Sequence, residues 1–297
     1  LINQFDSPLN NHKIKYNGEK DIQCGGYMME NKRHDLRNRK RVVIKVGTST
    51  ITHNDGKMNL MKLEHLSRTI SSLKNQGMEV VLVSSGAIAV GAQRLNLRER
   101  PKKVSEKQAA AAVGQVVLMN MYQRFFHDYA YEVAQILVTR LVNDDEVMRF
   151  NAKNTFNELL RMGILPVVNE NDTIATEEII FGDNDTLSAV VAKLVEADLL
   201  ILLSDINGLY SDDPKKNPDA RLLHQVDVID EYIESIGKGT SSNQGTGGMA
   251  TKISAAKIAT EVGIDVVIAN GESPEVIVDI MDGKEIGTLF SRRMKNA

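Results

Sequence analysis

The sequence has no tryptophan, a single cysteine and only six prolines in 297 residues. Cys24 has no internal partner for a disulfide and no neighbour at metal-ligand spacing. This excludes a disulfide-stapled scaffold, argues against structural zinc and fits a reducing cytoplasm. No apolar run approaches the roughly 18 to 20 residues of a membrane span, so no bilayer-crossing helix is expected. A surplus of positive charge is also missing, because the net charge is −3. Nothing recruits nucleic acid or an anionic lipid surface as a partner. Two nucleotide signatures are absent: GxxxxGK[ST] occurs nowhere, and no GxGxxG follows the first strand, which disfavours a dinucleotide dehydrogenase. Residues 1–38 lack sustained apolar periodicity and an apolar h-region, so they read as a flexible extension, neither signal nor transit peptide. Met28 and Met29 lie just before the first strand, and the natural start is expected there, with the preceding stretch an addition. The basic residues Lys32, Arg33, Arg37, Arg39, Lys40 and Arg41 read as a solvated flank.

What is present is an alternation. With 42% apolar residues the chain has enough core for one large α/β domain or two lobes. Apolar, β-branched runs of strand length occupy 42–46, 80–83, 133–138, 164–168, 198–203 and 266–268, separated by segments of helical periodicity. Leu60, Leu63, Leu66, Ile70 and Leu73 form one helical face, ended by Gly77 at its C′ position. A second helix spans about 106–126 with Ser105 as its cap, a third carries Phe156, Leu159 and Leu160, and a fourth carries Leu187, Val190, Val191 and Leu194. Strand followed by helix implies parallel strands joined by right-handed crossovers. Residues 287–290 are read as a last edge strand.

The apolar runs end on polar residues. The run 164–168 breaks into Asn169, Glu170, Asn171 and Asp172, and about ten residues on Gly182, Asp183, Asn184 and Asp185 close a loop before a helix. Either cluster alone makes turns, with Asp185 as a helix cap. Together they face the crevice beyond the carboxyl ends of the strands, where open α/β sheets bind ligands. Lys45 interrupts the first strand, and an ammonium there must reach solvent or an anion, since burying it unpaired is costly. It can extend over the Gly47 turn toward a phosphate. Ser84, Ser85, Gly86 and Ala87 are small enough to admit a ligand to the backbone. The glycine-rich stretch 237–252 is either a linker or a phosphate loop. The helix and strand beyond it place it inside the fold, where helix N–H groups and Lys252 attract an anion. Two lysines on phosphate-type turns beside a carboxylate-rich crevice suggest phosphoryl transfer from a nucleotide with Mg²⁺.

Taken in order, VVIKVGTS from Val42, SSGAIAVG from Ser84, PVVNEND from Pro166, GDND from Gly182, LLSDINGLY from Leu202 and GTGGMATK from Gly245 resemble the amino acid kinase family. NEND with GDND resembles its glutamate 5-kinase branch, and the likeness covers 41–291. It implies a three-layer αβα sandwich with a mainly parallel central sheet, a kinase domain over 39–291 and a tail over 292–297. The domain would comprise a glutamate-binding lobe, 39–197, and an ATP-binding lobe, 198–291. It also implies a cytoplasmic phosphotransferase with a carboxyl group as acceptor. With ATP and Mg²⁺ it would convert L-glutamate to γ-glutamyl phosphate, the first step of proline biosynthesis.

Carried over by resemblance, Lys45, Ser204, Asp205, Thr246, Gly247, Gly248, Met249, Ala250, Thr251 and Lys252 bind ATP, and Ser85, Asp172 and Asn184 bind glutamate. Asp172 then pairs with the substrate's α-ammonium, while Ser85 and Asn184 donate to its carboxylates. Lys45, Asp185 and Lys252 form the catalytic set, with Asp185 organising the lysines and the metal, helix capping remaining open for it. No residue is assigned as a direct metal ligand. The loop 173–181 is expected to sense proline as a feedback inhibitor, and family members associate through this domain, which implies a homo-oligomer. Many bacterial members append a PUA module, and here the expectation is a kinase domain without one.

Elementary chemistry agrees with this reading. A glutamate side chain has a reference pKa of about 4.3, so the nucleophile is ionised near neutral pH and needs no general base. The obstacle is repulsion between carboxylate and triphosphate, which cations and oriented N–H dipoles relieve. Rival readings are a sister kinase acting on N-acetylglutamate, aspartate, carbamate or UMP, and a catalytically silent amino-acid or nucleotide sensor. An N-acetylated substrate would leave Asp172 without a cation, and a silent sensor would have no use for both lysines and the carboxylates.

Overall fold

Strand β1 (Arg41–Val46) shows how this sequence builds its fold. Val42, Ile44 and Val46 enter one buried cluster and Val43 enters another, as the two-residue period of a strand requires. A strand apolar on both faces belongs in a sheet covered by helices on both sides. The computed structural model describes residues 32–53, 55–175, 184–239 and 248–293.

After β1 the chain forms α1 (Thr48–Ile51), α2 (Leu60–Asn75), β2 (Glu79–Ser84), α3 (Ala87–Arg94), α4 (Val104–His127) and β3 (Val133–Val138). It continues with α5 (Glu146–Arg161), β4 (Leu165–Glu170), α6 (Asn184–Leu194), β5 (Leu199–Ser204) and β6 (Gln225–Val226). The last elements are α7 (Glu231–Gly239), α8 (Met249–Glu261), β7 (Asp265–Asn270), α9 (Val276–Met281) and β8 (Thr288–Phe290). Among the described residues the strands form one sheet in the order β3-β4-β2-β1-β5-β7-β8-β6. Its pairs are parallel except β7 with β8.

One face packs against Leu63, Leu66 and Ile70 of α2, Leu118, Tyr122 and Phe126 of α4, and Ile277 and Ile280 of α9. The other packs against Phe156 of α5, Leu187 and Val191 of α6, and Ile253 and Ala256 of α8. This is the three-layer αβα sandwich with a mainly parallel central sheet.

Several sequence expectations change. Strand β4 runs through Asn169 and Glu170, both buried, because they stay in register with Leu137 and Val138 of β3. Ser105 lies inside α4, whose N-cap position is Lys103. Strand β8 is not the edge, because β6 pairs outside it. With only two residues, β6 shows no periodicity.

The largest change concerns the flank. Lys32–Asn38 forms a 3-10 helix whose Leu36 is fully buried and whose Arg33 is 2% exposed. Arg33 donates from Nη1 to the carbonyls of Lys284 and Ile286 and from Nη2 to those of His224 and Gly287. These carbonyls border β6 and β8. The guanidinium therefore satisfies backbone acceptors where the sheet ends. Removing it should leave several of them unmet, so Arg33→Ala is expected to cost about 2 to 4 kcal/mol, read as a lowered urea midpoint. A midpoint equal to wild type would show that water replaces the arginine without loss.

Helices α3 and α4 cross with their backbones in contact. A Cβ on Gly114 would stand 1.8 Å from the Ala87 carbonyl oxygen, and one on Gly91 would stand 1.7 Å from that of Ala110. No side chain fits at either point. Residue Gly86, at φ 95°, occupies the left-handed region that only glycine enters freely. The Ser85–Gly86 turn is thus fixed by the crossing that follows it.

Candidate functional site

The site is assembled at the carboxyl edge of the sheet. From β1 the connections lead one way to β2, β4 and β3 and the other way to β5 and β7, so the ends of β1 and β5 stand where the winding reverses. Such a switch point opens a crevice between loops that diverge to either side. Gly47 follows β1, Ser84 ends β2 and Ser85 follows it, Asn169 and Glu170 end β4 ahead of Asn171 and Asp172, and Ser204 ends β5 ahead of Asp205.

Strand alternation decides where Lys45 goes. It shares the face of Val43, and its register partners Val83 and Leu202 belong to the core beneath α6 and α8. Asp185 is in the first turn of α6 and Lys252 in the first turn of α8. Lys45 Nζ lies 2.5 Å from Asp185 Oδ1 and Lys252 Nζ lies 2.9 Å from Asp185 Oδ2. Both lysines are buried and Asp185 is 0% exposed. Thr251 Oγ1 is 2.7 Å from the Gly248 carbonyl and 3.1 Å from Asp185 Oδ2.

Burial pushes the Asp185 carboxyl upward, but the ammonium groups of Lys45 and Lys252 overcome it and hold the group well below the ordinary carboxylate value. The three charges leave one net positive charge at the crevice floor. Gly47 leaves room beside it, since a Cβ there would be 3.9 Å from Lys45 Nζ and 3.8 Å from the Leu203 carbonyl oxygen. Gly86 and Gly248 are the N-cap residues of α3 and α8 and make no side-chain cap, and helix starts of this kind attract anions.

On the β5 side, Ser204 Oγ donates to Asp205 Oδ1 at 3.1 Å, and the Ser204 carbonyl accepts from Gly271 N at 2.7 Å. Gly248, Met249, Ala250 and Thr251 lead into Lys252 on the same side, whereas Thr246 and Gly247 lie outside the described residues. So do Gly182, Asp183 and most of the loop expected to sense proline.

On the β2 and β4 side, Ser85 is half-buried after β2. Asp172 lines a cavity of about 220 Å³ with Glu170, Asn171, Thr173 and Gln115. Asn184 is held from within the protein. Its Nδ2 donates to the Ser84 carbonyl at 2.6 Å and to Asn169 Oδ1 at 2.9 Å, so both amide hydrogens are used inside the protein. The Asp185 side chain, for its part, serves the two lysines.

Sequence reasoning missed Gln115 and Tyr122, and named Asn169 only within the polar cluster that ends the fourth apolar run. Asn169 Nδ2 donates to Gln115 Oε1 at 2.8 Å, and Tyr122 Oη lies 2.8 Å from Ser84 Oγ. Burial pushes the Tyr122 hydroxyl upward, against a smaller opposite effect of Ser84, so it stays protonated. The signal for Gln115 and Tyr122 was polar side chains at the spacing of the α4 apolar stripe, Ala111, Gln115, Leu118, Tyr122 and Phe126.

The family model described as the amino acid kinase family matches residues 40–270. Glutamate 5-kinase from Clostridium perfringens is 54% identical over 262 residues, covering 87% of this chain and 97% of that protein. Glutamate 5-kinase from Clostridium acetobutylicum is 54% identical over 260 residues, covering 88% and 97%. Among solved structures, carbamate kinase from Giardia lamblia bound to AMP-PNP superposes with a TM-score of 0.62 at 15% identity, covering 86% of this chain and 100% of that one. At that identity the likeness concerns the fold.

Proposed function

This chain belongs to the amino acid kinase family, and we propose that it transfers the γ-phosphoryl group of ATP to the γ-carboxylate of L-glutamate. The product is γ-glutamyl phosphate, the first intermediate of proline biosynthesis. The observation that carries this reading is the convergence of Lys45 and Lys252 on one buried carboxylate at the sheet's switch point. It occurs in a chain 54% identical to a glutamate 5-kinase along 97% of that protein.

The acceptor carboxylate attacks as it stands, so the protein's work is to bring two anions together in line. Lys45 and Lys252, drawn together by Asp185, neutralise the phosphoryl oxygens, and the start of α8 adds N–H donors. Bound Mg²⁺ supplies further neutralisation of the phosphates. Among the described residues no three His, Cys, Asp or Glu side chains gather as a metal-ligand set. Both Asp185 oxygens carry a lysine. This donor set suits an ion held chiefly by phosphate oxygens and water.

Residues 39–197 serve as the glutamate-binding lobe and 198–291 as the ATP-binding lobe, a division supported by Ser85 and Asp172 lying toward β2 and β4 and by Ser204, Asp205 and Lys252 lying toward β5 and α8. Asp172 pairs with the α-ammonium of glutamate. Proline competes there as a feedback inhibitor, and the chain works in the cytoplasm as a homo-oligomer. Exposed Met148 and Phe150 on α5 support association. No helix among the described residues is long and apolar enough to cross a membrane.

ADP release with glutamate, ATP and Mg²⁺ is the direct test, and equal or faster turnover of N-acetylglutamate would overturn the substrate assignment. In the same assay Asp172→Ala should raise the glutamate KM about tenfold or more and leave the ATP KM alone. A shift confined to ATP would put the carboxylate in the other pocket. Added proline should raise the apparent glutamate KM, and sedimentation should give more than one chain's mass. Unchanged kinetics or a monomer would remove the respective proposal.

A further inference from the structure

A directional chain of side-chain amides runs beneath the Asp172 cavity, and backbone groups fix its polarity. The Ser84 carbonyl can only accept, so the Asn184 atom facing it at 2.6 Å is the amide nitrogen. The Glu170 backbone N–H can only donate, so the Asn169 atom facing it at 2.9 Å is the carbonyl oxygen. That same oxygen accepts from Asn184 at 2.9 Å. Asn169 therefore has its NH₂ to give, and gives it to Gln115 Oε1 at 2.8 Å. The oxygen of Gln115 thus accepts inside the protein, and among the described residues no hydrogen bond is made by the nitrogen of this cavity-lining side chain.

Gln115 is 8% exposed and lines that cavity together with Glu170 and Asp172. The space, about 220 Å³, also has Ala111, Gln135 and Leu137 in its wall, which makes it smaller than the roughly 300 to 1,000 Å³ of drug-sized pockets. Carboxylates beside a fixed amide donor suit a ligand head that carries a cation and an anion on one carbon.

We propose that Gln115 is an acceptor-binding residue whose Nε2 donates to the α-carboxylate of the amino acid, while Asp172 holds its α-ammonium. This rests on the glutamate kinase reading and adds to it a residue that selects for the α-carboxylate. It also links recognition of the amino-acid head to the phosphoryl side, because the chain of amides ends on Asn184, next to Asp185.

Gln115→Glu is the informative change. A carboxylate keeps an oxygen for Asn169 but replaces the donor with a negative charge. The glutamate KM should rise at least about tenfold, with the ATP KM within about twofold. L-Glutamic acid α-amide keeps the γ-carboxylate and the ammonium but presents a donor where glutamate presents an acceptor. The preference for glutamate over this amide, as a ratio of kcat/KM, should therefore fall about a hundredfold in the variant. Equal losses for the two acceptors, or an unchanged glutamate KM, would overturn the assignment. Wild type supplies a check that needs no variant: if it uses the amide as well as glutamate, the α-carboxylate is not read at all and the assignment fails. No ADP release from wild type with either acceptor would instead sink the underlying kinase reading.

Discussion

Lys252→Met should lower kcat by about a hundredfold or more, with the KM values for ATP and glutamate each moving within about threefold. The argument starts from the charge count. Asp185 neutralises one of the two ammonium groups that touch it, and the remaining positive charge sits on a floor beside Gly47 and the start of α8. A bound triphosphate meets that charge whether or not transfer occurs. The transferring phosphoryl group and the approaching carboxylate need it most when they are closest. Removing it therefore takes more from the transition state than from the ground state. Because no base takes part, raising the pH between 6.5 and 8.5 should recover nothing.

A purely structural role for Lys252, that of neutralising Asp185, makes the opposite forecast for one variant. If neutralisation were its whole purpose, combining Lys252→Met with Asp185→Asn would restore turnover. If it stabilises phosphoryl transfer, the double variant stays as slow as the worse single one. Restoration to near wild-type kcat would remove Lys252 from the chemistry.

The legibility of this site in the sequence followed the kind of partner each residue has. Lys45 was readable because a charged residue in an apolar strand needs an anion, and the two-residue period sets the face on which it is found. Asp185 and Lys252 were readable because GDND and GTGGMATK resemble the family's motifs and each leads into a helix. Arg33 was not, since its acceptors are the carbonyls of residues 224, 284, 286 and 287, and a carbonyl has no residue type. In a basic run it looked like solvated flank. Gln115 was hidden for a related reason: it occupies a core position of α4, and its partner Asn169 is distant in sequence. Amides also invert easily in an argument from residue type alone. Asn184 can donate or accept, and only the Ser84 carbonyl shows that its donors are committed inward.

Asp185→Asn should destabilise the protein by about 3 kcal/mol at pH 7, and the difference from wild type should shrink in acid. Burial alone would raise this carboxyl, yet Lys45 and Lys252 hold it below its ordinary value of 3.8. A carboxyl with a lowered folded-state pKa contributes stability in full above its unfolded value and loses it as pH falls through the folded one. The gap in urea midpoint between wild type and variant should therefore be equal at pH 7 and pH 5.5 and close progressively below about pH 4. The variant also removes the carboxylate that stands between two buried ammonium groups. They should separate, so kcat should fall at least about tenfold even where the variant is fully folded. A gap that is the same at pH 7 and pH 3 would mean that the lost contribution is not the ionised pair. Full turnover in the folded variant would mean that the lysines find their positions without Asp185. The prediction thus tests with one residue whether the same contact that holds α6, α8 and β1 together also aims the charges at the substrate.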